Sequence, residues 1–190
     1  MNNVLLGGNC STLLGLEQIN ARRATTFAPG PDVHSNTIVP AQAVTGLLNT
    51  TIMGVSIRSP GGSSTVPPLG TYRNNIIVAN GNATVRFAFQ EADSNSDPAV
   101  LENNDFWVPT IAGMPPLYLD EGSNTLTATS QINMLNGSPG VSSGALSADP
   151  AFLLGSPFRL SGGSPMRNAG VTTGMPRDDF DGTGRPPRTA

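Results

Sequence analysis

Three acidic side chains near the end of the chain come closest to a metal-binding motif. Asp178, Asp179 and Asp181 lie within four residues of one another, beside Gly182 and Gly184. Carboxylate oxygens on a flexible backbone are ligands that Ca²⁺ accepts, but an EF-hand loop needs a further acidic ligand where Arg and Pro follow here. We therefore expect Asp179 and Asp181 to cap turns and to pair with a neighbouring Arg. A Ca²⁺ site is the alternative, and no other cofactor is predicted.

A second acidic pair is the best candidate for catalysis or ligand binding. Polysaccharide cleavage uses several carboxylates that face one substrate, either as an acid/base pair or as Ca²⁺ ligands beside a basic residue. Asp120 and Glu121 lie close to Tyr118 in a segment that follows two prolines. Adjacent residues on a strand point to opposite faces of the sheet, so we do not expect both carboxylates to reach one substrate.

The remaining carboxylates stand where charge usually serves solvation or local structure. Glu91, Asp93 and Asp97 lie in a loop rich in Ser, Asn and Pro, so solvent exposure is expected. Asp105 follows two Asn residues, where an Asx turn with nearby backbone is expected. Carboxylates that act as Ca²⁺ ligands in such chemistry would also need a basic residue beside them. The arginines that adjoin predicted strands, and that could align if those strands stack, are Arg58, Arg73 and Arg86.

Exposed aromatic side chains can stack on a sugar ring. The chain has one Trp, two Tyr and seven Phe. A folded core needs most of these large side chains inside it. We expect Phe106 to pack in the core, while the environment of Trp107 stays open. The candidate ligand-binding residues are therefore Trp107, Tyr118, Asp120 and Glu121, and no catalytic residue is assigned.

Composition and charge argue against two classes of partner. Charged residues make up 12% of the chain, all ten basic residues are Arg, and the net charge is -3. The chain therefore lacks the basic surface that nucleic acid or an anionic membrane requires, and no apolar stretch is long enough for a transmembrane helix. The only cysteine, Cys10, is expected to be a small buried hydrophobe, and the lone His34 is expected to cap a turn.

A recurring apolar run that begins with Asn indicates the strands that hold these residues. The run occurs at residues 2–9, 35–39, 49–53, 74–78 and 103–107. Intervals of 33, 26 and 29 residues separate Asn3 from Asn36, Asn49 from Asn75 and Asn75 from Asn104. Such spacing is typical of stacked repeats. Asn tolerates left-handed backbone at a tight corner, and stacked Asn side chains can hydrogen-bond to one another as a ladder, which we favour over ordinary hairpin turns.

Apolar and β-branched runs predict strands along most of the chain. The predicted strands are 3–6, 36–39, 51–58, 75–78, 84–90 and 100–107. In the fifth of these, alternation places Val85, Phe87 and Phe89 on one face, which we expect to be core. Two short helices are predicted, one over residues 11–19 and one over residues 130–137, where an Asn-Gly pair ends the helix.

The end of the chain carries a family resemblance. In order come Asp-Pro-Ala-Phe at 149–152, Gly-Ser-Pro-Met-Arg-Asn-Ala-Gly at 163–170 and Asp-Phe-Asp-Gly-Thr-Gly-Arg-Pro at 179–186. This ending resembles that of right-handed parallel β-helix proteins, including the choice-of-anchor Q group of the pectate-lyase-like superfamily. Asn168 stands where that ending usually has an acidic residue. A looser similarity to bacterial surface β-helix proteins extends back to about residue 70.

Together, the repeats and the resemblance predict an all-β chain, a right-handed parallel β-helix or solenoid. Its coils, with loop excursions, would occupy residues 1–147, and its terminal coil and irregular Asp/Gly/Pro-rich tail residues 148–190. The resemblance implies an extracellular or cell-surface setting and further coils upstream in a longer chain. We expect a non-catalytic structural or adhesive segment of an exported bacterial protein, with polysaccharide or cell-surface glycan as a partner. The alternative is a polysaccharide lyase or a glycoside hydrolase of the pectate-lyase-like class.

Overall fold

A computed structural model describes most of the chain and contains mainly β-strands. The described residues are 4–6, 12–19, 31–39, 49–58, 70–79, 83–109, 116–135, 141–178 and 183–184. In chain order, the strands are β1 (Val4–Leu6), β2 (Thr12–Ile19), β3 (Asp32–His34), β4 (Thr37–Val39), β5 (Asn49–Arg58), β6 (Thr71–Arg73), β7 (Ile76–Val78), β8 (Ala83–Glu91), β9 (Val100–Glu102), β10 (Asp105–Trp107), β11 (Tyr118–Asp120), β12 (Asn124–Leu126), β13 (Val141–Ser143), β14 (Phe152–Leu153) and β15 (Ser156–Leu160). Within these ranges the one helix is α1 (Thr129–Ile132).

Three parallel sheets hold most of the strands. Their strand orders are β1-β4-β7-β10, β12-β11-β8-β5-β2 and β13-β9-β6-β3, and only the β11–β12 pair in them is antiparallel. From β3 to β11, the chain visits the three sheets in the same cyclic order three times. Neighbouring strands in a sheet therefore come from segments about one repeat apart in the chain. The predicted all-β class is confirmed, and the sheets are mainly parallel.

The structure corrects the predicted elements at several points. Residues 12–19 form strand β2, so the helix predicted over residues 11–19 is wrong; parallel pairing with β5 outweighs a weak helix signal that Gly15 already interrupts. The helix predicted over residues 130–137 is confirmed only for its first turn, because α1 ends at Ile132, and the Asn-Gly pair predicted to end the helix lies outside the described residues. The single strand predicted over residues 100–107 is two strands, β9 and β10, separated by a corner.

That corner recurs once in each pass of the chain. The residue that follows β3, β6, β9 and β13 has left-handed backbone, with φ of 56° at Ser35, 55° at Asn74, 50° at Asn103 and 63° at Gly144. Asn and Gly adopt this conformation at the lowest cost. The chain therefore turns from one sheet to the next at the same place in each pass.

The residue after each corner forms the predicted ladder. The Oδ1 atom of Asn75 accepts hydrogen bonds from the backbone N–H of Asn36 at 3.1 Å and from its side-chain amide at 3.2 Å. Asn104 accepts the equivalent pair from Asn75 at 3.0 and 2.9 Å. The ladder is confirmed for these three residues. Asn49 is wrongly included in the repeat because it lies on β5, in another sheet, and Asn3 lies outside the described residues.

Aliphatic side chains stack in register beside the ladder. Ile38, Ile77 and Phe106 pair in neighbouring strands and are buried in one cluster together with Ile52. Burial of each such side chain stabilises the fold by about 1.5–3 kcal/mol. Ile77, rather than the neighbouring Ile76, supplies the aliphatic group of its pass.

Four aromatic rings extend this core. Phe89 stacks on Tyr118, with 5.0 Å between ring centroids, and meets Tyr72 edge-on at 5.1 Å. Phe106 packs edge-on against both Phe89 and Tyr118. The predicted core face of β8 is confirmed for Phe89 and also for Phe87, but not for Val85, which is 40% exposed.

The segment after β15 runs along the outside of the corners. The side-chain amide of Asn74 donates to the carbonyl of Val171 at 2.8 Å, and its Oδ1 accepts from the Val171 N–H at 2.7 Å. Asn103 donates to the carbonyl of Ala169 at 2.9 Å. Consecutive corners thus hold residues two apart in the tail, as an extended segment requires.

Candidate functional site

A cavity of about 260 Å³ opens where strand ends from two sheets meet the helix α1 region. Its lining combines four acidic residues with one hydroxyl and five apolar side chains. The lining residues are Glu91, Asp97, Pro98, Leu101, Asp120, Glu121, Met134, Leu135, Val141 and Ser142. We call this space the acidic cavity. None of the described residues that line it is basic.

Glu91 is the deepest acid of the cavity. It ends β8 and is only 2% exposed, so the expectation that it is a solvated loop residue is wrong. The hydroxyl of Tyr118 donates a hydrogen bond to its Oε1, whereas Oε2 is buried without a hydrogen-bond partner. Tyr118 reaches Glu91 from within the core because its ring is stacked on Phe89.

Burial controls the ionisation of Glu91. Desolvation raises the pKa of Glu91 to about 8, and the nearby charges of Asp120 and Asp97 act in the same direction. The hydrogen bond from Tyr118 opposes this shift and lowers the pKa. Glu91 is therefore largely protonated at neutral pH, which is the state that a general acid requires.

The predicted acidic pair lies in the same cavity. Asp120 ends β11 and Glu121 begins the turn that follows, with a left-handed φ of 49°. This turn brings both residues to the cavity wall, so the expectation that they cannot reach one ligand is wrong. Gly122 fixes the turn through a 2.7 Å hydrogen bond from its N–H to the carbonyl of Glu91.

Asp97 completes the acidic lining. Burial raises its pKa, and the charges of Glu121 and Asp120 raise it further. It was predicted to be a solvated loop residue, but it is half-buried at the cavity wall. Asp93, in the same loop, is half-buried too, and its Oδ1 accepts the Asn95 N–H at 2.9 Å, which is an Asx turn.

Apolar side chains also line the cavity. Met134, which follows α1, and Val141, at the start of β13, are 69% and 52% exposed. Ser142 lies next to Val141, and its buried Oγ atom has no hydrogen-bond partner. Buried polar atoms without partners are rare in folded proteins. The cavity holds two of them, Ser142 Oγ and Glu91 Oε2.

The predicted ligand-binding residues divide between the cavity and other places. Asp120 and Glu121 line the cavity. Tyr118 is fully buried, so its ring offers no face to a sugar, and it acts on the site only through Glu91. Trp107 is half-buried on β10 and is not part of the lining.

The predicted Ca²⁺ residues, Asp179 and Asp181, lie outside the described residues. Within the part of the chain that the structure describes, no three His, Cys, Asp or Glu side chains are grouped closely enough to hold a metal ion. Cys10 also lies outside the described residues.

A second buried carboxyl group lies at the edge of the ladder. Asp105 is 1% exposed, and burial raises its pKa to about 7, assisted by the charge of Asp149. Its Oδ1 accepts the N–H of Ala148 at 3.0 Å, which opposes that shift. The expected Asx turn is wrong in this respect, because the partner is a backbone group 43 residues away.

The arginines and the histidine serve local structure. Arg73 Nε lies 2.5 Å from Oε2 of Glu102 on the neighbouring strand β9, and Arg86 donates to the carbonyl of Pro109 at 3.0 Å. Arg58 is in register with Ile19, so the three arginines do not form one row. His34 ends β3 directly before a corner, with its Nε2 3.8 Å from Asp32 Oδ2.

Comparisons with protein-family models, with curated proteins and with solved structures found no match. In the described part of the chain, no helix has the length and apolar character needed to cross a membrane. The function of the chain is therefore inferred from the geometry of the acidic cavity and from the order of the strands.

Proposed function

We propose that the chain is a right-handed parallel β-helix and that it serves as a non-catalytic structural or adhesive segment of an exported bacterial surface protein. The observation that carries the proposal is the Asn36–Asn75–Asn104 ladder at corners that recur in successive passes of the chain. Within the described residues, this buried amide ladder joins three successive passes of the chain, as a rigid stacked scaffold requires. The cyclic order in which the chain visits its three parallel sheets supports the same architecture.

The distribution of charge also favours a scaffold. Charged residues are only 12% of the chain, and the Arg73–Glu102 pair joins two neighbouring strands. A polar surface with few charges suits contact with neutral polysaccharide or with a cell-surface glycan.

Two measurements test this proposal. A crystal structure of the chain should show successive passes stacked in parallel, with neighbouring strands about 4.8 Å apart along the stack. A panel of plant, algal and bacterial polysaccharides, with and without Ca²⁺, should show retention of some glycans but no new reducing ends or unsaturated products. Antiparallel sandwich sheets would contradict the β-helix, and turnover of any polysaccharide would contradict the non-catalytic role.

A second candidate function is favoured by one feature of the acidic cavity. A glycoside hydrolase needs one protonated and one ionised carboxyl group on either side of a glycosidic bond. The raised pKa of Glu91 provides the protonated group, and Asp97 and Asp120 line the same cavity. If the polysaccharide panel shows hydrolysis, Glu91→Gln should abolish it, whereas Asp32→Asn on the distant strand β3 should not change it.

A further inference from the structure

The acidic cavity contains groups that neither the scaffold nor the core explains. Four carboxyl groups face one space of about 260 Å³, and no basic residue among the described lining residues offsets them. Carboxylates that face one another destabilise the folded chain unless a cation or protonation relieves their repulsion. Glu91 is one of four such groups, so its protonation relieves only part of the repulsion.

Unpartnered polar atoms point to a ligand independently of the charge. Glu91 Oε2 and Ser142 Oγ are both buried, both belong to lining residues, and neither has a hydrogen-bond partner. An atom of this kind costs about 1–3 kcal/mol when it is left unsatisfied. A ligand with several hydrogen-bond donors would satisfy Ser142 Oγ, and Glu91 Oε2 once Glu91 has lost its proton.

The arrangement of the acids fits an organic cation better than a metal ion. Within the described residues, no three of these carboxyl groups are grouped closely enough to hold a metal ion. Five of the ten lining residues are apolar, and two of these, Met134 and Val141, are strongly exposed. Such a wall matches a hydrocarbon chain with a charged end.

We propose that the acidic cavity binds a small aliphatic amine, with its ammonium group among the carboxylates and its hydrocarbon chain against Met134 and Val141. An ammonium ion has three donors and no acceptor, which suits a cluster of carboxylates and a hydroxyl. The inference goes beyond the scaffold function and does not depend on it. The amine has two possible sources, a free diamine or a lysine side chain of another protein.

Binding of the amine should be linked to the ionisation of Glu91. The charged groups that face Glu91 are Asp97 from the loop before β9 and Asp120 and Glu121 from the end of β11; β9, β13 and the α1 region contribute no charged group to the lining. A bound ammonium favours ionised Glu91, so binding at neutral pH should release a proton. Affinity should therefore rise as pH increases from about 6 to 8.

Calorimetric titration of the full chain tests the proposal in separate arms. The probes are putrescine as the free diamine, Nα-acetyl-lysine methylamide as the lysine side chain, butanol as the neutral analogue and CaCl₂ as the metal. We expect saturable binding of at least one amine, with proton release that depends on the buffer, and no binding of butanol. The amine that binds more tightly identifies the source, and the chain itself has no Lys side chain.

Matched variants locate the binding. Asp120→Asn and Glu121→Gln should each weaken amine binding roughly tenfold, the effect of removing one charge-assisted hydrogen bond. Asp32→Asn removes an exposed carboxylate on β3, at the opposite edge of its sheet from β13, and should change affinity less than about twofold because such charges are screened.

Thermal unfolding of each variant separates loss of binding from loss of folding. Glu121 is exposed, so its variant should fold normally and keep the test decisive. Failure of both amines to bind overturns the proposal. An equal loss of affinity in Asp32→Asn and Asp120→Asn, or binding of CaCl₂ alone, overturns it too.

Discussion

Asn75 connects more of the molecule than any other ladder residue. Its Oδ1 accepts a hydrogen bond from the side-chain amide of Asn36. Its own amide donates to Oδ1 of Asn104 and, at 2.8 Å, to the carbonyl of Val33. At 1% exposure, water cannot replace these bonds. An amide is needed here because it alone among small side chains both donates and accepts through separate atoms.

Asn75→Ala should therefore destabilise the chain by about 1–3 kcal/mol, since it leaves buried polar groups of the neighbouring passes unpaired. Chemical denaturation followed by circular dichroism measures the change in unfolding free energy. Asn124→Ala, at an exposed Asn on β12, is the matched control and should change stability by less than about 0.5 kcal/mol. Equal effects of the two substitutions would contradict the role of the ladder.

Two buried carboxyl groups make stability depend on pH in an unusual direction. The pKa of Glu91 rises from 4.5 to about 8 on folding, and that of Asp105 from 3.8 to about 7. The folded chain thus binds protons more tightly than the unfolded chain. The contribution of these two groups to stability should be full below about pH 4 and should fall as pH rises to about 8.

The thermal unfolding midpoint measured between pH 4 and pH 8 tests this dependence. Each group should contribute a slope of roughly 1.4 kcal/mol per pH unit within its own window. Glu91→Gln should flatten the upper part of the profile and Asp105→Asn the lower part, while the exposed Asp32→Asn should leave the slope unchanged. A midpoint that increases from pH 4 to pH 8 would be incompatible with two protonated buried acids.

At the scale of elements, close approach between strands decides which residues fit. Gly54 is buried on β5, and a Cβ atom there would lie 2.3 Å from Ile77 Cγ2 and 2.5 Å from the carbonyl oxygen of Ala88. The second neighbour is backbone of β8 and cannot move aside. Glycine in the middle of this strand is thus required by packing between two sheets.

Gly54→Ala should cost about 1–3 kcal/mol of stability through overpacking. Gly163→Ala is the control, because no atom lies within 4 Å of the added Cβ and the position has no left-handed backbone. Denaturant titration of both variants provides the measurement. A neutral Gly54→Ala would mean that β5 and β8 lie further apart than the structure places them.

Local sequence patterns correctly predicted those strands that are determined by residues within the strand itself or directly before it. Asn-led runs indicated β4, β7 and β10 because the ladder needs Asn directly before each of these strands. The strand at residues 12–19 was missed because its partner, β5, is remote in sequence and local signals favoured a helix cap at Ser11. Long-range pairing of this kind is not visible in a ten-residue window.

The candidate site was predicted only in part for the same reason. Asp120 and Glu121 were identified as a pair, but the left-handed turn that brings both to one wall depends on Gly122 and its bond to Glu91. Burial of Glu91 depends on Tyr118, which lies 27 residues further along the chain. A signal was present in the apolar run 84–90, which continues into Glu91 as one strand.

At the scale of the whole molecule, each pass of the chain is held mainly by the passes next to it. The β7 strand has β4 on one side and β10 on the other, whereas β13 is an edge strand with β9 alone. In such an arrangement, stability accumulates from neighbour to neighbour and is lowest at the ends. The edge pass that contains β13 should therefore open before the middle pass that contains β7.

Hydrogen exchange followed by mass spectrometry or NMR tests this order. Backbone amides of Ile77 and Val78 should exchange at least about tenfold more slowly than those of Ser142 and Ser143, because opening the edge breaks fewer contacts. Asn75→Ala should reduce the difference by weakening the middle of the stack. Uniform exchange rates along the chain would instead indicate a single cooperative unit.

Both tyrosines of the chain are inside it, and one of them reports on the cavity. Tyr72 and Tyr118 are the only two in the sequence, and neither is exposed. The hydroxyl of Tyr118 donates a hydrogen bond to the carboxyl group of Glu91, and burial raises the pKa of Glu91 to about 8. Ionisation of Glu91 should therefore change the near-ultraviolet absorption of Tyr118, on top of the absorption of Tyr72 and Trp107, and this change can be followed without an attached dye.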